Sequence, residues 1–588
     1  MYSSGKIACK LDTLGLKCLD IINNTAKLVN IDPNFIDIND ESIYKYLSNP
    51  EAPYTGIFQA ETGSLGERTL REIKPRNINH VSASVALGRP GTLAFIGEYV
   101  NYVKTGELSK IHPEIDAQLK DDANIIIYQE SLMRLLREAF KMEWPDVHAI
   151  SKIIRKKLKE KMPAWEPKIY EAGQKAGLPD DAISKVWKAT LASADYQFCK
   201  SHSYSYSYLA ATCAYLKSNY TKEFFLSLLK YPPSSGDKKE NHVINIKREL
   251  DFFGIKLLPP SLIKGNQDFI IEDDKNIRFG LEGVKGLGEA VLKKLENFKP
   301  QNCNKFEFFQ ASRQAGLSCG AMASLIMSGA ADEFVSETRS KLSFECLLFS
   351  RLKDKEKIYC LQNGPKFNFH LIDMVKNINE WSDSMGKKIS RKTRLNTLRK
   401  DTAKYQEIYK NNQQNEDLTK LIYEKQNLGY NYSSTLKDIF KKGGREDIVN
   451  LKEFQNEIEP NQFAIVVCHV QEAKTAVSKK GNSMMKLLVE DETDTRYFYF
   501  AGQAYKDFLV DCDNKPNIKE GMIVAIKLQK SKDGSGAFVQ RLKPQGIKIM
   551  TKMADLKDSE ISADSENILP QNTEKSPQKS SKFELKLT

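Results

Sequence analysis

At 588 residues the chain is long enough for several domains, and 41% apolar with 28% charged residues is the composition of a soluble protein. No apolar stretch approaches the ~18 residues that a membrane span needs, and the start, MYSSGKIACK, lacks the apolar core of a signal peptide. A net charge of +12 fits a polyanionic partner without proving one. The ten cysteines form no C-x-x-C pair and no zinc spacing, so they read as reduced thiols of a cytoplasmic protein.

Residues 1–30 hold one compact motif, KLDTLGLKCLDII. Residues 31–230 carry helical periodicity broken by turns such as Arg89-Pro90-Gly91, and Pro259-Pro260 marks a boundary. A short apolar segment with glycines follows to Asp332. Residues 336–455 are polar and predicted helical, with a dense basic run, KKISRKTRLNTLRK, at 387–400. From 463 to 540, five β-branched and aromatic runs (FAIVVCHV, SMMKLLVE, RYFYF, MIVAIKLQ and GAFVQ) predict a small barrel. Beyond 546 the polar, Ser- and Lys-rich chain reads as a disordered tail.

The stretch Phe198–Lys217, FCKSHSYSYSYLAATCAYLK, is the most informative. Lysine supplies a point charge for phosphate, and tyrosine a flat ring on which a base or sugar can rest. Taken alone, the residues better describe a buried aromatic helix with a charged start, and the Ser-Tyr alternation has a strand's period. Phe198, Lys200, Ser201, His202, Tyr206, Leu216, Lys217, Tyr220, Glu223 and Phe224 fall in register with the run F-N-K-S-H-x-x-x-Y, L-K, Y-P-x-E-F of the family C bacterial replicative polymerases, the alpha subunits of DNA polymerase III. Cys199 and Thr221 replace that family's asparagine and proline. The resemblance extends upstream to Gly56–Glu61 (GIFQAE), Lys74-Pro75, Val85–Gly91 (VALGRPG) and Ile125–Glu130 (IIIYQE), the last matching a strand of the family.

The resemblance implies a multidomain, mainly α fold, with fingers and a helix-hairpin-helix region, ending in an all-β OB-fold barrel. It divides the chain into a palm remnant (1–30), fingers (31–260), a helix-hairpin-helix region (261–335), a basic helical connector (336–455), an OB-fold (456–545) and the tail (546–588). In the fingers it assigns nucleotide contact to Arg89, Lys200, Ser201, His202 and Tyr206. It assigns DNA contact to Arg155, Lys156 and Lys157, for which a solvated helix face remains an equal reading. Gln129 and Glu130 read as bridges between chain elements.

Lys10–Leu16, KLDTLGL, resembles the family's K-x-D-x-L-G-L motif, which implies Asp12 as one of three carboxylates that hold two Mg2+ ions. The other two sit in a D-x-D strand. Asp37 and Asp40 have the wrong spacing for one strand face, and Asp511 and Asp513 fall in a turn-like part of the predicted barrel. The expectation is therefore a DNA-directed DNA polymerase, inactive until a second polypeptide supplies the D-x-D strand. The alternative is a non-catalytic DNA-binding scaffold derived from such a polymerase.

Gly280–Leu295 has the helix-hairpin-helix pattern, with Lys285, Gly286 and Gly288 at a hairpin suited to a backbone phosphate. Glu424–Leu436, EKQNLGYNYSSTL, resembles the family's E-K-E-x-L-G-x-Y-L-S-x-H-P. In the barrel, Lys479 and Lys480 resemble its K-K-G loop, and alternate rings of Tyr497–Phe500 should face outward. The implied partners are primer-template DNA, dNTPs, the palm-bearing chain and a sliding clamp, for which the tail offers only a degenerate peptide at Gln578, Phe583 and Leu585.

Overall fold

Small side chains decide how the first part of the molecule packs. The computed structural model describes residues 15–544 except 62–63, 89–91, 157, 194–197, 232–238, 265, 299–302, 335–336, 443, 445–446, 478–480, 482, 513–516 and 535, together with short strands at Tyr2–Ser3 and Lys6–Ile7. The chain forms two units, Met1–Gly236 and Asp237–Thr588. The expected tail lies outside the described residues. Among the described residues, no helix is long and apolar enough to cross a membrane.

The first unit is helical. Helices α1 (Lys17–Leu28), α2 (Ile78–Leu87), α3 (Gln129–Glu138), α4 (Lys200–Asn219) and α5 (Thr221–Lys230) position the candidate site. The Ser-Tyr run is helix, not strand. Ser203, Ser207, Ala210, Ala211 and Ala214 are all buried at helical spacing and leave room for α2. Ser203 Oγ donates to the Ser82 carbonyl of α2 at 2.7 Å, and Ser207 Oγ bonds back to the Ser203 carbonyl at 2.7 Å.

The Gly56–Glu61 loop is fixed from below. Lys217 is fully buried and donates its ammonium to the Thr55 carbonyl at 2.7 Å. Gly56 has φ +81°, and a Cβ there would stand 3.0 Å from the Phe224 ring, so only glycine suits the turn. Helix α1 joins α5 through Thr25, whose hydroxyl lies 2.9 Å from Ser227 Oγ. The run Ile125–Glu130, expected as a strand, is instead a buried extended segment at Ile125–Tyr128 followed by the start of α3 at Gln129, and Tyr128 makes a single parallel bridge to Phe198. Burial on all sides gives the same apolar pattern whether or not a sheet partner exists.

In the second unit a helix at Lys239–Phe252 leads into a three-stranded sheet, in which Asn276–Arg278 pairs parallel with Lys256–Leu258 and antiparallel with Ile270–Asp273. The helix-hairpin-helix region follows, with α6 (Glu289–Leu295), α7 (Lys305–Gln314) and α8 (Cys319–Met327). Asn304 and Glu307 form a capping box on α7, and Ser318 caps α8. Helices α9 (Arg339–Ser350), α10 (Arg394–Gln413) and α11 (Glu416–Leu428) continue the unit.

The barrel comprises β1 (Phe463–Val477), β2 (Ser483–Glu490), β3 (Thr495–Phe500), β4 (Ile523–Lys530) and β5 (Ala537–Pro544). Its order is β1-β2-β3-β5-β4, closed by β4 on β1, with β3 and β5 parallel and the rest antiparallel. Helix α12 (Gly502–Asp511) connects β3 to β4 and packs Tyr505 and Phe508 on Phe500. This is the five-stranded OB-fold arrangement.

The Glu424–Leu436 motif is a structural clasp within the second unit. Glu424 is fully buried. It accepts from Arg339 of α9 at 2.8 Å and from the Tyr432 and Ser433 backbone N–H groups at 3.0 and 3.2 Å. Arg339 also grips Asp332 at 2.6 Å, and the adjacent Lys425 pairs with Glu490 of β2. Removing Glu424 strips the buried Arg339 of one of its two carboxylate partners and leaves the Tyr432 and Ser433 N–H groups without acceptors. Glu424→Ala should therefore destabilise the second unit by ~3–5 kcal/mol in urea unfolding. The double variant Arg339→Met/Glu424→Leu should recover part of that loss.

Candidate nucleotide and DNA-binding sites

The start of α4 is assembled from three distant segments. The Phe198 carbonyl accepts from the Gln129 N–H at 2.9 Å, which brings the first turn of α3 against the entry to α4. The Glu130 carboxylate accepts from the Lys200 N–H at 2.8 Å and from Cys199 Sγ at 3.1 Å. A carboxylate here satisfies an orphan donor and faces the positive end of the helix dipole. This is the bridging role expected of Glu130.

Lys200 itself turns inward. Its ammonium donates to Asp122 at 2.8 Å, and the two side chains are 34% and 2% exposed. Asp122 also accepts from Ser131 Oγ, and the Arg134 guanidinium lies 4.0 Å away. The ammonium sits 5.2 Å from the centre of the Tyr128 ring, whose hydroxyl meets Ser82 Oγ at 2.9 Å. Burial pushes the Tyr128 phenol well above its ordinary value, so it stays protonated. A cavity of about 30 Å3 lies among Ser82, Tyr99, Asp122, Tyr128 and Lys200, which is room for a water and not for a nucleotide.

The solvent side of α4 is different. Ser201 and His202 are exposed and Tyr206 is half-buried. The rings of Phe198, His202 and Tyr206 recur every four residues, with centroids 5.2 and 4.0 Å apart, and Phe58 extends the row at 5.0 Å from Tyr206. Such a row offers a surface on which a base or sugar can stack.

Asp12, Arg89, Lys157, Lys479 and Lys480 lie outside the described residues. The loop bearing Arg89 begins at the carboxyl end of α2, the helix against which α4 packs. On its far side, buried Thr92 donates to the Ala86 and Leu87 carbonyls at 2.9 and 3.2 Å. Arg155 and Lys156 are exposed at the carboxyl end of the Trp144–Arg155 helix, where cations also complement the helix dipole. Asp37 and Asp40 are local caps, accepting from the Asn39 and Ser42 N–H groups at 2.9 and 2.8 Å. Asp511 closes α12. Among the described residues, no group of three or more His, Cys, Asp or Glu side chains could hold a metal ion.

In the second unit, Gly286 has φ +93° and buried Leu287 anchors the hairpin tip. Gly288 precedes α6 with nothing within 4 Å of where a Cβ would stand, so its backbone is open to close approach. Lys285 is exposed, but its N–H is taken by the Asn427 carbonyl at 2.8 Å. A second hairpin, between α7 and α8, is tied to the first by Lys294, which donates to the Gly316 carbonyl at 2.9 Å. On the barrel, Phe498 and Phe500 point inward while Tyr497 and Tyr499 are exposed, as their alternation predicts. Tyr499 stands opposite Lys486 of β2 and Phe538 of β5, and the Lys486 ammonium lies 4.0 Å from the Tyr497 ring centre.

The bacterial DNA polymerase III alpha subunit finger domain matches residues 18–177, and the helix-hairpin-helix motif matches residues 254–342. DNA polymerase III subunit alpha of Campylobacter jejuni is 25% identical over 585 residues, covering 94% of this chain and 44% of the relative. The chain is similar to the bacterial DNA polymerase III alpha subunits. The Thermus aquaticus subunit is 24% identical over 546 residues, 89% of this chain and 41% of its own length. The Aquifex aeolicus subunit is 30% identical over 349 residues, 57% of this chain and 29% of its own length. The chain thus spans less than half the length of these alpha subunits.

The finger-domain match contains the Gly56 loop, the α2 carboxyl end and the Ile125–Glu130 segment, three of the pieces around α4. The helix-hairpin-helix match contains Lys285, Gly286 and Gly288. Sequence reasoning missed Asp122, whose role as the Lys200 partner had no local signal beyond its place just before the IIIYQE segment. Glu130→Ala should cost ~0.5–2 kcal/mol of stability by uncapping α4, measured by denaturant unfolding, and should raise amide exchange in the first turn of α4.

Proposed function

We propose that this chain holds an incoming dNTP and primer-template DNA for template-directed DNA synthesis, as part of a DNA-directed DNA polymerase. The observation that carries the reading is the α4 entry, where a ring row with His202 exposed and Phe198 and Tyr206 half-buried lies on a helix start fixed by Glu130 and Asp122. That helix packs on α2, which leads directly into Arg89. In this reading Arg89 takes phosphate oxygens, Ser201 donates a hydroxyl hydrogen bond, and His202 and Tyr206 receive the base or sugar. Lys200, paired with Asp122, positions Tyr128 and the α4 entry rather than contacting phosphate directly. The open backbone at Gly288 takes a duplex phosphate without reading sequence, and Tyr497 and Tyr499 stack an unpaired strand.

Asp12 is the carboxylate that this chain contributes to a two-metal Mg2+ centre, which would activate the primer hydroxyl and neutralise the leaving phosphates. The other two carboxylates belong to a palm-bearing polypeptide outside these residues. A second reading, a DNA-binding scaffold without catalysis, is favoured by one observation: Lys200 is already neutralised by Asp122.

Primer extension decides between them. Extension is expected when the chain is combined with a palm-bearing polypeptide, and Arg89→Ala should raise the KM for dNTP at least tenfold with duplex affinity nearly unchanged. No extension in the combination, and equal loss of nucleotide and duplex binding on Arg89→Ala, would favour the scaffold. Robust extension by this chain alone would remove the separate palm from the account.

A further inference from the structure

Residues 387–400 carry seven lysines and arginines and no acid, and lie outside both matched family segments. They are not a loose tail. Ser382 bridges Lys388 across a tight hairpin, in which the Asp383 carboxylate accepts from the Met385 and Lys387 N–H groups at 3.0 and 2.9 Å. Buried Trp381 stacks on Tyr359 with centroids 4.4 Å apart and fixes the base of the hairpin. One cation of the run, Arg394, turns inward and is clamped by Glu356 at 2.8 Å. Ser390 Oγ donates to the same carboxylate at 3.0 Å.

The remaining cations stay out. Lys387, Lys388, Arg391, Lys392 and Lys400 are exposed. Among the described residues, none makes an ion pair, although Glu380, Asp383 and Asp401 flank the stretch. A surface cation commonly finds an acid in a chain with 76 of them, so a fixed, unpaired group of five marks a site for an external polyanion. The patch exposes no aromatic ring on which a base could stack. What it exposes instead is Met385, 88% accessible at the hairpin tip, an apolar point that the sugar-lined wall of a groove would cover.

We infer that the 382–400 hairpin and the start of α10 form a second, sequence-neutral contact for double-stranded DNA, made to phosphates, in addition to the helix-hairpin-helix. The inference rests on the reading of the chain as a DNA-holding protein. Anchoring through Trp381 and the Arg394–Glu356 pair holds the cations in place before binding, so little ordering is needed when the duplex arrives.

The test uses the full chain, a duplex of about 20 base pairs, and titration from low to moderate salt. The variant Lys387→Gln/Lys388→Gln/Arg391→Gln/Lys392→Gln should lose about tenfold or more in duplex affinity, and its log K against log salt slope should fall by about 3.6. Its thermal unfolding should match the parent, since the four side chains are exposed. Should that variant fail to fold, Lys387→Gln/Lys388→Gln alone should lower the slope by about 2. An unchanged slope overturns the inference. So does a loss confined to binding of polyglutamate, which would identify the patch as a dock for an acidic protein. A parent chain that binds no duplex at all overturns the DNA-holding reading itself, whereas a parent that binds and a variant that binds equally well overturns only this contact.

Discussion

Two carboxylates, buried Asp122 and half-buried Glu130, govern the first unit. Glu130 caps the first turn of α4 and Asp122 holds the ammonium of the residue at that turn. Without them the helix would begin with unsatisfied donors and a lysine drawn toward solvent, and the ring row of Phe198, His202 and Tyr206 would lose its fixed base. The small residues along the same helix then allow α2 to approach, and Arg89 follows α2 in sequence. The proposed nucleotide site thus rests on a helix start whose electrostatics are settled internally, leaving its outer face available.

The second unit follows the same logic with different parts. A buried arginine, Arg339, and a buried glutamate, Glu424, lock the helix-hairpin-helix region to the segment that leads into the barrel. The groups proposed to meet DNA are backbone at Gly288, rings on β3 and cations on the 382–400 hairpin. Each surface is sequence-neutral in its chemistry: phosphates, stacking faces and groove walls are common to any DNA.

Much of this was legible in the sequence because it is written in local periods. Alternation in RYFYF assigned inner and outer rings, and the glycines of GLGE marked a hairpin tip before a helix. What was not legible depends on partners far along the chain. Lys200 meets Asp122 across 78 positions, and nothing near either residue announces the pair. The Ser-Tyr run has a strand's period yet is helix, because the stripe Ser203, Ser207 and Ala210 serves a helical contact with α2. In KKISRKTRLNTLRK the pattern could not tell Arg394, which is buried on Glu356, from neighbours that remain outside. The carboxylate Asp12 and the loop residue Arg89 are known from sequence alone.

The central claim is that the outer face of the α4 entry receives the nucleotide base. Photo-crosslinking of an azido-substituted dATP to the full chain with primer-template, mapped by mass spectrometry, tests it most directly. The account predicts adducts within Ser201–Tyr206, competed away by unmodified dATP and reduced in His202→Ala. Adducts confined to the barrel, or competed equally by any polyanion, would contradict it.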